Sequence, residues 1–223
     1  MKTTRNLAIC LTVILLSVPM MYAEDLSKYR NFSLGATLAD VSKQINQRPG
    51  NTQTIQQTPA VIQQVEWWPV PLNLLKGSES IQKVIFSFYN LKLYKIAATY
   101  DSEATAGLTA ADMIGAVSAS YGAATRVAAE TNSHSAGAYG AIEPPLAQWD
   151  DAQYSVTLSR DSLLNTFHLV LLTKQLNAQA ETSVVEAAKQ ERADAPQKEM
   201  DRVKKAADDL ETERQANLKI FRP

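Results

Sequence analysis

One short phrase occurs twice in this chain, and it constrains the fold more than anything else in it. Gly35-Ala36-Thr37-Leu38-Ala39-Asp40-Val41 is matched, at a constant offset, by Gly107-Leu108-Thr109-Ala110-Ala111-Asp112-Met113. The offset holds beyond the phrase, where Ile45 matches Val117 and Gly50 matches Gly122. A threonine followed three residues later by an acid starts a helix. The hydroxyl accepts from an amide with no partner inside the first turn, and the carboxylate reaches back while favouring the positive end of the helix dipole. Thr37 with Asp40, and Thr109 with Asp112, are therefore expected as helix caps. Behind them Leu38, Val41 and Ile45, and then Met113, Ile114 and Val117, fall on one stripe at the helical period. Gly50 and Gly122 stand where a left-handed residue would stop each helix.

β-type sequence follows each helix. After the first come residues 61–70, with Trp67 and Trp68, ended by Pro69 and Pro71. Residues 84–89 and 92–100 then flank a two-residue break at Asn90-Leu91, the pattern of an antiparallel hairpin, with Phe86, Phe88 and Leu93 as core candidates. After the second helix come residues 146–150 with Trp149, then 154–158 and 166–173. Each half thus reads helix, Trp-bearing strand, strand, strand, which is a tandem duplication with repeats at about 29–100 and 107–176. Residues 29–34 alternate apolar and polar, a short strand or extended lead-in seating Phe32 and Leu34 against the first helix. Two stretches read as loops: the Gln-rich residues 42–64, with at most an irregular helical turn, and the Ala-, Ser- and Gly-rich residues 127–145.

The ends differ from this middle, residues 24–176. Lys2 and Arg5 precede an apolar run from Leu7 to Val18, and Met21-Tyr22-Ala23 closes a plausible cleavage region, so residues 1–23 read as a signal peptide. The run is too short to span a membrane, which takes about 20 residues. The sole cysteine, Cys10, lies inside it, leaving a mature chain without thiol, disulfide or Cys-based metal site. Stability must come from the core, and a domain of about 150 residues buries roughly 70% of its unfolded surface. Residues 177–223 are charged and rich in Ala, Glu, Gln and Lys, which favours helix, with Pro196 expected to divide it in two. There Met200, Val203, Ala207 and Leu210 follow the 3-4-3 spacing of a coiled-coil seam under two heptads long. This segment reads first as a solvated helical tail, and second as a partner-binding or self-associating helix over residues 198–214. The net charge of −1 argues against nucleic acid as a partner.

The tandem Gly-x-Thr-x-x-acid units on Gly35, Thr37, Asp40, Gly107, Thr109 and Asp112, each followed by strands, resemble the β-lactamase-inhibitor-protein-like fold, which includes the SmpA/OmlA outer-membrane assembly lipoproteins. The resemblance covers about residues 29–176. It implies an α+β fold with helices on one face of an antiparallel sheet, and a non-enzymatic role in binding other proteins in the cell envelope. The small lipoproteins carry one such unit and a lipidated cysteine, and the inhibitors carry disulfides, features this chain lacks. The opening Tyr-Arg-x-Phe-x-Leu-Gly and the closing Phe-Arg-Pro also resemble secreted bacterial proteins of unassigned function.

No catalytic constellation emerges. His134 and His168 are the only histidines; Glu130 and His134 have helical ligand spacing but lie in a small-residue loop without a third ligand. Asp150 and Asp151, near Glu143, are explained more simply by a turn, and neighbours on a strand face opposite ways. No Ser-His-acid elbow and no phosphate-cradling glycine loop is found. The expectation is a secreted or periplasmic protein-binding or scaffolding module without catalytic residues, metal or cofactor. Its partner-binding candidates are Trp67, Trp68, Trp149 and Phe221, since exposed Trp is a natural anchor. The alternatives are an envelope hydrolase using Asp150, Asp151 or His168, and a small-ligand binder using exposed aromatics.

Overall fold

A computed structural model describes residues 25–46, 52–69, 80–127, 144–161 and 163–222. The stretch expected to be a signal peptide, Gly50, Glu130, His134 and Glu143 lie outside these residues. Both copies of the repeated phrase open helices, α1 (Leu38–Gln44) and α2 (Ala110–Tyr121). In α2 the capping box is complete: Thr109 Oγ1 accepts from the Asp112 amide at 3.2 Å, and Asp112 Oδ2 accepts from the Thr109 amide at 2.8 Å. In α1 Thr37 Oγ1 accepts from the Asp40 amide at 3.2 Å and donates to Asp40 Oδ2 at 2.7 Å. The apolar stripes bury Val41 and Ile45 from α1, and Met113 and Val117 from α2. Gly122, with φ 80°, stops α2. The expected stop at Gly50 is not what ends α1. That helix gives out at Gln44, and Asn46, at φ 54°, takes the left-handed position that asparagine tolerates.

A small hairpin, β1 (Lys28–Tyr29) and β2 (Phe32–Ser33), precedes α1. The remaining strands are β3 (Gln53–Gln56), β4 (Ile62–Trp67), β5 (Ile81–Tyr89), β6 (Lys92–Tyr100), β7 (Arg126–Val127), β8 (Ala147–Asp150), β9 (Tyr154–Asp161) and β10 (Thr166–Thr173). They form one antiparallel sheet in the order β3-β4-β5-β6-β10-β9-β8-β7. Among the described residues each of these helices is thus followed by four strands rather than three. The additional ones, β3 and β7, fall at the two sheet edges, β3 inside the Gln-rich stretch read as loop and β7 at the start of the Ala-, Ser- and Gly-rich one. β6 and β10 meet at the centre, with Leu169 opposite Ala98 and Leu171 opposite Ile96.

The two positions of the β5–β6 turn both take positive φ, 47° at Asn90 and 67° at Leu91, the geometry of a type I′ hairpin. This tip docks on the first repeated phrase. The Leu91 carbonyl accepts from the Leu38 amide at 3.1 Å, and the Leu93 carbonyl from Gly35 at 2.7 Å.

One sheet face carries the main core: Val65, Val84, Phe86, Phe88, Leu93, Ile96, Trp149, Val156, Leu158, Phe167, Leu169 and Leu171, closed over by Val41, Ile45, Met113, Val117 and the β1–β2 hairpin. A smaller core, Ile62, Tyr94 and Ala180 with Tyr89 and Leu176 against it, is separate from the first. Tyr94 reaches it because it is the extra residue of a bulge between the Phe88–Leu93 and Ser87–Lys95 pairs. That second core belongs to α3 (Lys174–Ile220), which leaves β10 without a loop. Two expectations are corrected here. The tail is one helix rather than two, running through Pro196, and its first turns are part of the domain, with Ala180 and Ser183 buried. Proline removes one intrahelical bond and crowds the preceding turn, but its surroundings on α3 are exposed, so water serves the freed carbonyl.

Candidate functional site

Strand alternation divides the two adjacent tryptophans. Trp67, at the end of β4, turns inward with Val65 and packs edge-on to Phe32 at 5.6 Å between centroids, with Phe86 at 6.4 Å. Trp68 turns outward and is 53% exposed, covered on one side by the Lys83 ammonium 5.3 Å from the ring centroid. Below Trp67 lies a shallow cleft of about 260 Å³ lined by Arg30, Asn31, Phe32, Gln44 and Trp67.

Trp149 is not a surface anchor. It is buried, and its indole Nε1 donates to the Gly122 carbonyl at 2.8 Å, tying β8 to the end of α2. The residue faces the main core with Ala147, so alternation on β8 places it inside. Phe221, just past α3, is 74% exposed.

The acidic and imidazole candidates each hold a structural post. Asp151 Oδ1 accepts from the Gln153 and Tyr154 amides, both at 2.6 Å, and so builds the β8–β9 turn. Asp150 Oδ1 lies 3.1 Å from Lys174 Nζ, and that ammonium also donates to the Asp151 carbonyl at 2.7 Å, clamping the turn to the start of α3. Burial pushes the Asp150 carboxyl up, but the Ser155 hydroxyl and the Lys174 ammonium outweigh it and hold the group below the usual range. His168 is half-buried on β10, with Nδ1 3.2 Å from Thr99 Oγ1 and Nε2 3.2 Å from Thr166 Oγ1. The register puts Ser155, partner of Asp150, opposite Leu172, four residues along β10 from His168. That separation is roughly 13 Å at the rise of a strand. The three groups are not brought together. Among the described residues no cluster of three or more His, Cys, Asp or Glu could hold a metal ion.

Sequence reasoning did not single out a groove of about 500 Å³ between the β3–β4 turn and α3, lined by Gln56, Thr58, Pro59, Glu186, Gln190 and Lys198 among others. No local signal marks it, because it depends on where α3 crosses the sheet. Gln56 holds that crossing by donating to the Ser183 carbonyl at 3.3 Å. Exposed apolar side chains stand at the β9–β10 turn, on Leu163 and Leu164, and further along α3, on Met200, Val203, Leu210, Leu218 and Ile220. Among the described residues no helix is long and apolar enough to cross a membrane.

Comparison with known proteins returns one family model, the TP0088 domain, which matches residues 27–178. No curated protein and no solved structure matches the chain. The matched segment ends just inside α3, so most of the helical arm lies beyond it.

Proposed function

The chain belongs to the TP0088 domain family through residues 27–178. We propose that it is a secreted or periplasmic protein-binding scaffold of the bacterial cell envelope, without catalytic activity. The observation that carries this reading is the distribution of exposed apolar groups. Trp68 stands at one end of β4, and Met200, Val203, Leu210 and Phe221 stand on an arm outside both cores. An aromatic anchor and an apolar helix face are the surfaces that recognise other proteins. The hydrolase candidates Asp150, Asp151 and His168 instead serve a clamp, a turn and a hydroxyl-bounded strand position. The apolar run from Leu7 to Val18 supports export.

The scaffold is, in this proposal, a doubled unit. Supporting this, α1 leads into β3, β4, β5 and β6, α2 leads into β7, β8, β9 and β10, and the two sets meet in mirrored order along the sheet. Both helices open on the same phrase. A photo-crosslinking residue placed at position 68 or 221 of the mature protein should capture one specific envelope protein. Crosslinks spread over abundant proteins without preference would count against the scaffold reading. The cleft under Trp67 favours a second reading, a small-ligand binder, in which case a ligand screen would change tryptophan emission and Trp67→Leu would abolish the change.

A further inference from the structure

We infer that the distal part of α3 pairs in parallel with the same helix of a second copy of this chain, through a seam of Met200, Val203, Ala207 and Leu210. This rests on the protein-binding reading and names the partner of one of its surfaces. The distal helix has no tertiary support: every residue from Ala195 to Arg222 is exposed, and neither core includes any of them. An isolated helix in water is marginal even with good formers, and Pro196 lowers its stability further. Helical structure there calls for a partner, and the 3-4-3 series offers a face for one.

The charges beside that face select the partner and its direction. With Met200 and Ala207 at one set of seam positions and Val203 and Leu210 at the other, Glu199 precedes the seam and Lys204 flanks it on the opposite side. In a parallel pair those flanking positions face each other across the interface, so Glu199 of each copy, which also accepts from Arg202 of its own helix at 2.7 Å, meets Lys204 of the other, twice by symmetry. In an antiparallel pair that matches Met200 to Leu210, Glu199 falls near Glu213 and Lys204 near Lys204, both repulsive. The next seam positions, Arg214 and Asn217, are polar, and Arg214 pairs with Glu211 at 2.7 Å. The seam is therefore short, and the association depends on concentration.

Sedimentation velocity of the full mature chain across the micromolar range tests this. The expected result is a shift from the monomer to twice its mass. Val203→Asp with Leu210→Asp should leave a monomer at every concentration, with thermal unfolding of the sheet domain unchanged because neither residue belongs to a core. Glu199→Lys alone or Lys204→Glu alone should weaken the dimer by roughly tenfold, and the two together should restore it. A chain that stays monomeric throughout overturns the proposal, and so does Glu199→Lys strengthening the pair, which is the antiparallel response. Crosslinking at position 68 would still test the scaffold reading independently.

Discussion

Leu91 occupies a backbone conformation that suits glycine, at φ 67°, and its side chain is exposed. A bulky residue there costs of order 1 kcal/mol or more, while the turn type favours Asn-Gly. Leu91→Gly should therefore raise stability by about 0.5–1 kcal/mol in urea unfolding, since the carbonyl that docks on α1 is retained. Trp149 behaves oppositely. Trp149→Phe removes the donor to the Gly122 carbonyl and leaves space in the main core, and should cost about 2–3 kcal/mol by the same measurement. The pH dependence is set by carboxylates whose folded values are depressed. Lys28, then the Ser27 hydroxyl, bring Asp25 from an ordinary 3.8 to about 2. Asp112, bonded to Thr109, shifts in the same direction, as does Asp150. Such groups contribute stability that is present above the unfolded value and lost as pH falls through the folded one. Asp150→Asn should thus flatten the drop in Tm between roughly pH 5 and pH 2. The caps were legible in sequence, and so was the split of Trp67 and Trp68 between opposite faces, because each depends on residues within four positions; which of the two turns inward was not, since that depends on where Phe32 and Phe86 pack. The burial of Trp149 was not, since it depends on the end of α2.

Among the elements, those with an apolar rhythm of their own were readable. The β5–β6 hairpin, α1, α2 and β10 are examples, with Phe86, Phe88, Phe167 and Leu169 marking the buried face. β3 was not, because Gln53-Thr54-Ile55-Gln56 lies at the sheet edge with Ile55 exposed, so it carries no buried alternation to detect. α3 differs for another reason. Proline is a strong local stop signal, but no packing here forces the chain to turn, so the helix passes through it. Pro196→Ala should increase helical ellipticity and leave the melting of the sheet domain in place, because residue 196 touches neither core. Wild-type α3 should also lose helicity beyond Pro196 at a lower temperature than the near-ultraviolet signal of the core, seen as two separate transitions in circular dichroism.

At the scale of the whole molecule, the joint between β6 and β10 is, among the described residues, the one place where the two halves share a ladder, and the main core is continuous across it. Both halves contribute to that one core, Val41 and Phe86 from the first and Val117 and Trp149 from the second. Expressed separately, residues 25–105 and 106–222 should each lack fixed tertiary structure, and together they should recover the near-ultraviolet spectrum of the intact chain. Independent folding of either half would show that the joint is dispensable. The order of strands along the sheet was beyond sequence reasoning, since nothing local says that the last strand inserts beside β6 rather than at an edge.

Ser183 is the last buried position of α3, and Ile220 ends the helix. At the rise of an α-helix the interval is about 55 Å, so the molecule is also a ruler. With its distal part paired, that interval separates whatever holds the far tip from the sheet domain's grip on Ser183. Excising one heptad ahead of Met200 would draw the two grips together by about 10 Å while leaving the tip's azimuth nearly unchanged.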